Sequence, residues 1–328
     1  MTRQEWISMS DPWGMRVKIS VLAGGVGAAR FLRGLVEVVD PRDVTAIVNV
    51  GDDVELLGLR ISPDIDIVTY TLAGIVDESK GWGIRGDSFE ALSRLRTYGA
   101  DAWMALGDGD LATHIFRTHR LSAGASLSEV ADEVRRRLGV ASRILPATDD
   151  PLTTMVRLED GRLVSFEEYY VRYAFRPRIS AVTYRGCSSA APARGVLEAI
   201  DSADAVVIAP SNPVASVMPI LCVEEIARAL RRRNRRIAIS PIVGGRAVKG
   251  PAAQMMSDLG IEASPVGVAR LYRGMADAIV MDKVDAEMVG RVSSEAGLAA
   301  LVADTMMVDA GARRRLAQFV VEASESLA

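Results

Sequence analysis

The chain has 328 residues, an apolar fraction of 49% and a formal charge of −3, from 39 basic and 42 acidic side chains. That is enough apolar material for one large α/β domain with an insertion, or for two domains, and it lacks the basic excess of a nucleic-acid binder. No uncharged stretch is long enough to span a membrane. The two cysteines, Cys187 and Cys222, have no metal-ligand spacing, so a soluble cytoplasmic protein with free thiols is expected.

Residues 1–14 are polar and read as a flexible tail rather than a signal peptide; 15–328 reads as a single α/β domain. Val17 to Leu22 is an apolar strand. Gly24-Gly25-Val26-Gly27 follows, and then a helix carrying Phe31, Leu32, Leu35 and Val36. Strand, glycine loop and helix are the parts of a phosphate cradle, in which N–H groups and the helix dipole face the anion. Gly25 and Gly27 match the first two glycines of the dinucleotide fingerprint, but Arg30 stands at the third, and no Gly-Lys-Ser/Thr follows. A tight strand–helix turn without a ligand fits the same residues.

Thr45 to Val50 is a second buried strand, opening at Gly51 into Asp52 and Asp53. Pro63-Asp64-Ile65-Asp66 follows. If that loop folds back, several carboxylates meet at one sheet edge, where ligands of open α/β sheets bind. Mg²⁺ is the natural companion, since it takes few carboxylates and leaves positions for phosphate oxygens. The alternative is a turn at Asp52 and Asp53 and a helix cap at Asp64.

Val68 to Gly74 reads as helix, and Gly81-Trp82-Gly83 as a glycine loop with Trp82 offering a stacking face. Ala105 to His114 reads as a strand end, a turn and a helix start, with Asp108 or Asp110 as cap and His114 on the helix. Ser126 to Leu138 is an amphipathic helix, and Thr153 to Val156 with Arg162 to Phe166 reads as a hairpin. Phe166 to Tyr173 fits ordinary core packing and would also suit one wall of an aromatic ligand pocket. The segment 126–185 is expected as an inserted, partly helical lobe. Ala205 to Ala209 is a strand ending in Pro210-Ser211-Asn212-Pro213. Ile237 to Ile239 is another, followed by Ser240-Pro241 and, further on, by Lys249, which is available to a phosphate. Ala278 to Asp282 reads as the last strand and Ala312 to Ser324 as a closing helix.

Five motifs now stand in order: Ala23 to Leu32, Val48 to Asp53 with Ile61 to Asp66, Leu106 to His114, Pro210 to Val214, and Ser240 to Gly244. In this order and spacing the sequence resembles the 2-phospho-L-lactate transferase family of coenzyme F420 biosynthesis, including its phosphoenolpyruvate-transferring members. Gly81-Trp82-Gly83 and Phe166-Glu167-Glu168-Tyr169 also look like family features. The resemblance implies a Rossmann-like, mostly parallel sheet flanked by helices, a homodimer, and a Mg²⁺-dependent reaction. In that reaction a guanosine diphosphate conjugate of lactate or enolpyruvate passes its phospho-acid part to the ribitol hydroxyl of the deazaflavin Fo, and GMP leaves. It places the metal acids at Asp52 and Asp64, with Asp53 and Asp66 as second choices.

Attack of an alcohol on a diphosphate needs charge neutralised on the phosphoryl oxygens and the groups held in line. Gly24, Gly25, Val26, Gly27 and Arg30 are the expected phosphate side. Ser211, Asn212 and Pro213 are expected to face the guanosine, and Lys249, Trp82, Asp108 and His114 complete the expected ligand contacts. Asp66 is the candidate proton acceptor. Family members usually carry arginine where Gly109 stands, so either another arginine, such as Arg85 or Arg117, replaces that cation or acceptor binding differs. Two other readings are a nucleotide-binding regulator of the gluconeogenesis-factor-like branch and an NAD-dependent oxidoreductase. The acid carried by the donor (lactate, enolpyruvate or glycerate) is not distinguished.

Overall fold

The computed structural model describes residues 17–327; the tail expected at 1–14 lies outside them. Seven strands form the central sheet: β1 (Ile19–Ala23), β2 (Val44–Val48), β3 (Arg143–Pro146), β4 (Ala205–Ile208), β5 (Arg236–Ile239), β6 (Ala278–Asp282) and β7 (Ala299–Ala303). Their spatial order is β7-β6-β5-β4-β1-β2-β3, and every pairing is parallel. β1, β2 and β4 are buried along their whole length. This is why they read as continuous apolar runs rather than alternating ones. The strand order reverses between β1 and β4. At such a switch point the two following loops leave in opposite directions and open a crevice at the carboxyl edge. The register places Ala23 beside Val48 and Leu22 beside Ile208, so both neighbouring strands end level with β1.

Five helices in the first half position the site: α1 (Gly25–Leu35), α2 (Pro63–Leu72), α3 (Glu90–Thr97), α4 (Asp108–Ser122) and α5 (Leu127–Arg137). α1 buries Phe31, Leu32 and Leu35 in the main core and packs against both α2 and the C-terminal helix Ala310–Ser326. α2 begins earlier than its apolar run, because Pro63 opens its first turn. Proline is tolerated there, where its missing N–H would have no partner. Asp64 and Asp66 therefore sit at a helix N-terminus, where the dipole favours negative charge.

Three expectations are corrected. The segment 126–185 is not one inserted lobe: β3 lies within it and pairs with β2 in the central sheet. The part outside that sheet is a three-stranded antiparallel unit, ordered Leu163–Ser165, Thr153–Leu158, Ile179–Arg185, followed in chain by a π-helical turn at Glu168–Arg172 after its first hairpin. Residues 102–106 form no strand. Met104 and Leu106 instead pack with Leu56, Ile61 and Leu111 in a small second cluster, on the short hairpin Val54–Leu56 and Leu59–Ile61. Finally, β6 is not the last strand. The alanine-rich β7 pairs beside it at the sheet edge, where partial exposure on both faces weakens the apolar signal. Among the described residues no helix is long and apolar enough to cross a membrane.

Candidate active site

One cavity of about 590 Å³ opens at the switch point. Its floor is the turn from β1 into α1. Gly25 has φ of +70°, a backbone region that favours glycine. A Cβ at Gly27 would overlap the Pro210 carbonyl oxygen, so α1 approaches the loop after β4 as closely as backbone allows. The Gly24 N–H donates to Ser211 Oγ at 3.2 Å, and the Gly25 N–H donates to Asp64 Oδ1 at 2.8 Å. Asp64 thus caps α1 from another helix. The Val26 and Gly27 N–H groups of the first turn are left without an intrahelical acceptor.

Three loops bring acids to this floor. Asp52 follows β2 and lines the cavity; it is 5% exposed, and its Oδ1 is buried with no hydrogen-bond partner. Asn49 lies between the loops. Its side-chain N–H donates to Asp64 Oδ2 at 2.9 Å and its Oδ1 accepts from the Gly51 N–H at 2.8 Å. Glu167, reached from the three-stranded unit, is buried in the opposite wall. Burial first, then Asp64 and Glu167, pushes the Asp52 carboxyl well above its ordinary range. Burial raises Asp64 to about 6, and burial followed by Asp64 and Asp53 raises Glu167 to about 8. Carboxyls crowded in this way are stable together only protonated or with a cation.

The other predicted residues divide. Gly24, Gly25, Val26, Gly27, Arg30, Trp82, His114, Ser211, Asn212 and Lys249 all line the cavity with Asp52, Asp64 and Asp66. Asp53, Asp108 and Pro213 are not among the lining residues. Asp53 accepts from the Ser62 hydroxyl at 2.7 Å, and burial raises it to about 7. Asp108 belongs to a reciprocal pair of caps. It accepts from the Glu90 and Ala91 N–H groups at the start of α3, while Asp87 accepts from Gly109 and Asp110 at the start of α4. Pro213 opens the buried turn after Asn212. The side chains of Ser211 and Asn212 are largely engaged: Ser211 holds Gly24, and Asn212 Oδ1 accepts from Val214 and Ala215.

Asp66 lines the cavity but is held through both oxygens by the buried Arg117 guanidinium, which therefore already supplies a cation there. Arg85 donates to the Gly74 carbonyl at 2.7 Å. Neither of these arginines lines the cavity; Arg117 reaches it only through Asp66. The cations that do line it are Arg30 and Lys249, the latter donating to the Lys80 carbonyl at 3.1 Å.

Sequence reasoning missed Asn49 and Glu167. The signal for Asn49 was a polar residue ending an otherwise β-branched run. Glu167 was visible as an acid within an aromatic stretch that looks like a family feature, but with no role attached. That stretch builds one wall: Phe166 and Tyr170 stack at 5.8 Å between ring centroids, and Tyr170 and Phe175 at 5.9 Å.

The family model described as 2-phospho-L-lactate transferase CofD matches residues 19–320. The chain is 40% identical over 317 residues to a phosphoenolpyruvate transferase of Streptomyces griseus, covering 95% of this chain and 99% of that one. It is 39% identical over 317 residues to the 2-phospho-L-lactate transferase of Methanopyrus kandleri, with the same coverage. Among solved structures, a UPF0052 family member from Bacillus halodurans shares the fold, with a TM-score of 0.59 at 18% identity, covering 94% of this chain and 99% of that one.

Proposed function

The chain belongs to the 2-phospho-L-lactate transferase CofD family and is a transferase of phospholactyl or phosphoenolpyruvyl groups, and from that premise we propose a fuller reaction. The donor is a guanosine diphosphate conjugate of the three-carbon acid, the acceptor is the ribitol hydroxyl of Fo, GMP is released, and Mg²⁺ is required. The observation that carries this reading is the meeting of Asp52 and Asp64 beside the glycine turn, in one cavity at the switch point.

The residues fit a hard divalent ion. Asp52 Oδ1 is buried without a hydrogen-bond partner, Asp64 is close enough to raise its carboxyl, and among the described residues no cationic side chain makes an ion pair with either. When bound, Mg²⁺ supplies Lewis-acid neutralisation of the diphosphate oxygens. The Val26 and Gly27 N–H groups and the positive end of α1 receive phosphate oxygens. Arg30 and Lys249 add positive charge from the side, and Asn49 fixes Asp64 relative to the loop that carries Asp52. The aromatic wall of Phe166, Tyr170 and Phe175 excludes water and gives a ring a flat surface. Asp66, tied to Arg117, is better placed to shape the cavity than to take a proton. A loose phosphoryl transition state needs little help from a base.

A thermal-shift series tests the proposal. GDP with Mg²⁺ should raise the melting temperature, UDP-sugars should not, and turnover with Fo should release one GMP per product. Stabilisation by UDP-sugars alone would favour a regulator instead.

A further inference from the structure

His114 lies on α4, is 1% exposed, and lines the cavity. Arg117 Nη1 stands 3.2 Å from its Nδ1. A guanidinium can only donate, so Nδ1 accepts and the ring proton sits on Nε2. Arg117 is itself fixed by Asp66, so a chain of clamped groups sets the tautomer. Yet Nε2 has no hydrogen-bond partner, and buried donors are seldom left so. Asp110 Oδ1 is 3.5 Å away without forming a hydrogen bond to it; that oxygen accepts from the Tyr70 hydroxyl at 2.9 Å. The Asp110 carboxylate also lines the cavity.

An N–H donor and a carboxylate acceptor therefore stand side by side on α4 in the cavity lining, next to the apolar cluster of Ile61, Met104, Leu106 and Leu111 (this part of the cavity is termed the arm). One donor beside one acceptor in an apolar chamber reads a ring edge on which a C=O adjoins an N–H. A divalent ion suits the place poorly: Asp66, Asp110 and His114 come within ligand distance of one another, but Arg117 already neutralises Asp66 and occupies Nδ1. We propose that His114 Nε2–H and the Asp110 carboxylate together bind the lactam or imide edge of a flat heterocycle in this arm. The inference rests on the proposed function for its two candidate ligands. The pyrimidinedione of a deazaflavin and the lactam of guanine both present that edge.

The test uses both ligands and needs no variant for its first half. Wild-type protein is titrated with Fo, followed by its fluorescence, and with GDP plus Mg²⁺, followed by calorimetry. Each is compared with its analogue methylated on the ring N–H. One of the two ligands should bind tenfold or more weakly when methylated. That same ligand should lose tenfold or more in His114→Phe and recover most of it in His114→Gln, whose amide keeps a donor at similar reach. Which ligand responds identifies the occupant of the arm. Binding of both ligands with no response to methylation or to His114→Phe would overturn the inference alone, as would responses falling on different ligands. Failure of the wild type to bind either ligand would remove the proposed function and this inference with it.

Discussion

Glu167→Gln isolates the electrostatic strain of the acid-lined floor. The Glu167 carboxyl is buried in the cavity wall, without a hydrogen bond among the described residues. It is pushed from an ordinary 4.5 to about 8, by burial first and then by Asp64 and Asp53. Below pH 4.5 the group is protonated in both folded and unfolded chains and has no effect. Between 4.5 and about 8 the unfolded chain releases the proton while the folded chain keeps it. Stability therefore falls as pH rises, by about 1.4 kcal/mol per pH unit, and levels off above about 8. At pH 7 the accumulated loss is about 3 kcal/mol. Glutamine fills nearly the same volume and does not ionise. In urea unfolding with a chelator present, the variant should match the wild type near pH 4.5 and be more stable by roughly 2–3 kcal/mol at pH 7. Added Mg²⁺ should shrink that gap, because a cation stabilises the ionised wall. A difference that does not vary with pH, or a variant less stable at pH 7, would refute the reasoning.

Two more outcomes follow from the same geometry. Arg117→Met strands the buried Asp66 carboxylate, and urea unfolding should show a loss of about 3–5 kcal/mol, since removing one partner leaves an uncompensated buried charge. Asn49→Ala removes the bonds to Asp64 and to the Gly51 N–H; calorimetry should show Mg²⁺ affinity in the presence of GDP falling about tenfold or more, as for other groups that orient a metal ligand.

Much of the floor was legible because its parts are local. A buried strand, a glycine turn and a helix follow one another from Ile19 to Leu35, and the loop after β2 carries Asp52 and Asp53 directly before a hairpin that turns the chain back towards α2. Apolar runs and glycines announce such units by themselves. What resisted reading depends on contacts across long stretches of chain. Asp64 caps α1 from 39 residues away, and Asp87 and Asp108 exchange caps between α3 and α4. An acid serving another element's backbone looks in sequence like any acid at a helix start. Arg117 was one candidate for the cation absent at Gly109, but its burial beside Asp66 shows only once α2 and α4 are packed together. β7 escaped because short alanine-rich edge strands have little periodicity to detect.

Calorimetric titration of Mn²⁺ or Mg²⁺ in the presence of GDP tests the centre of this picture most directly. The wild type should bind one divalent ion per chain. Asp52→Asn and Asp64→Asn should each abolish that binding and turnover while unfolding as cooperatively as the wild type. Undiminished ion binding in both variants would contradict it.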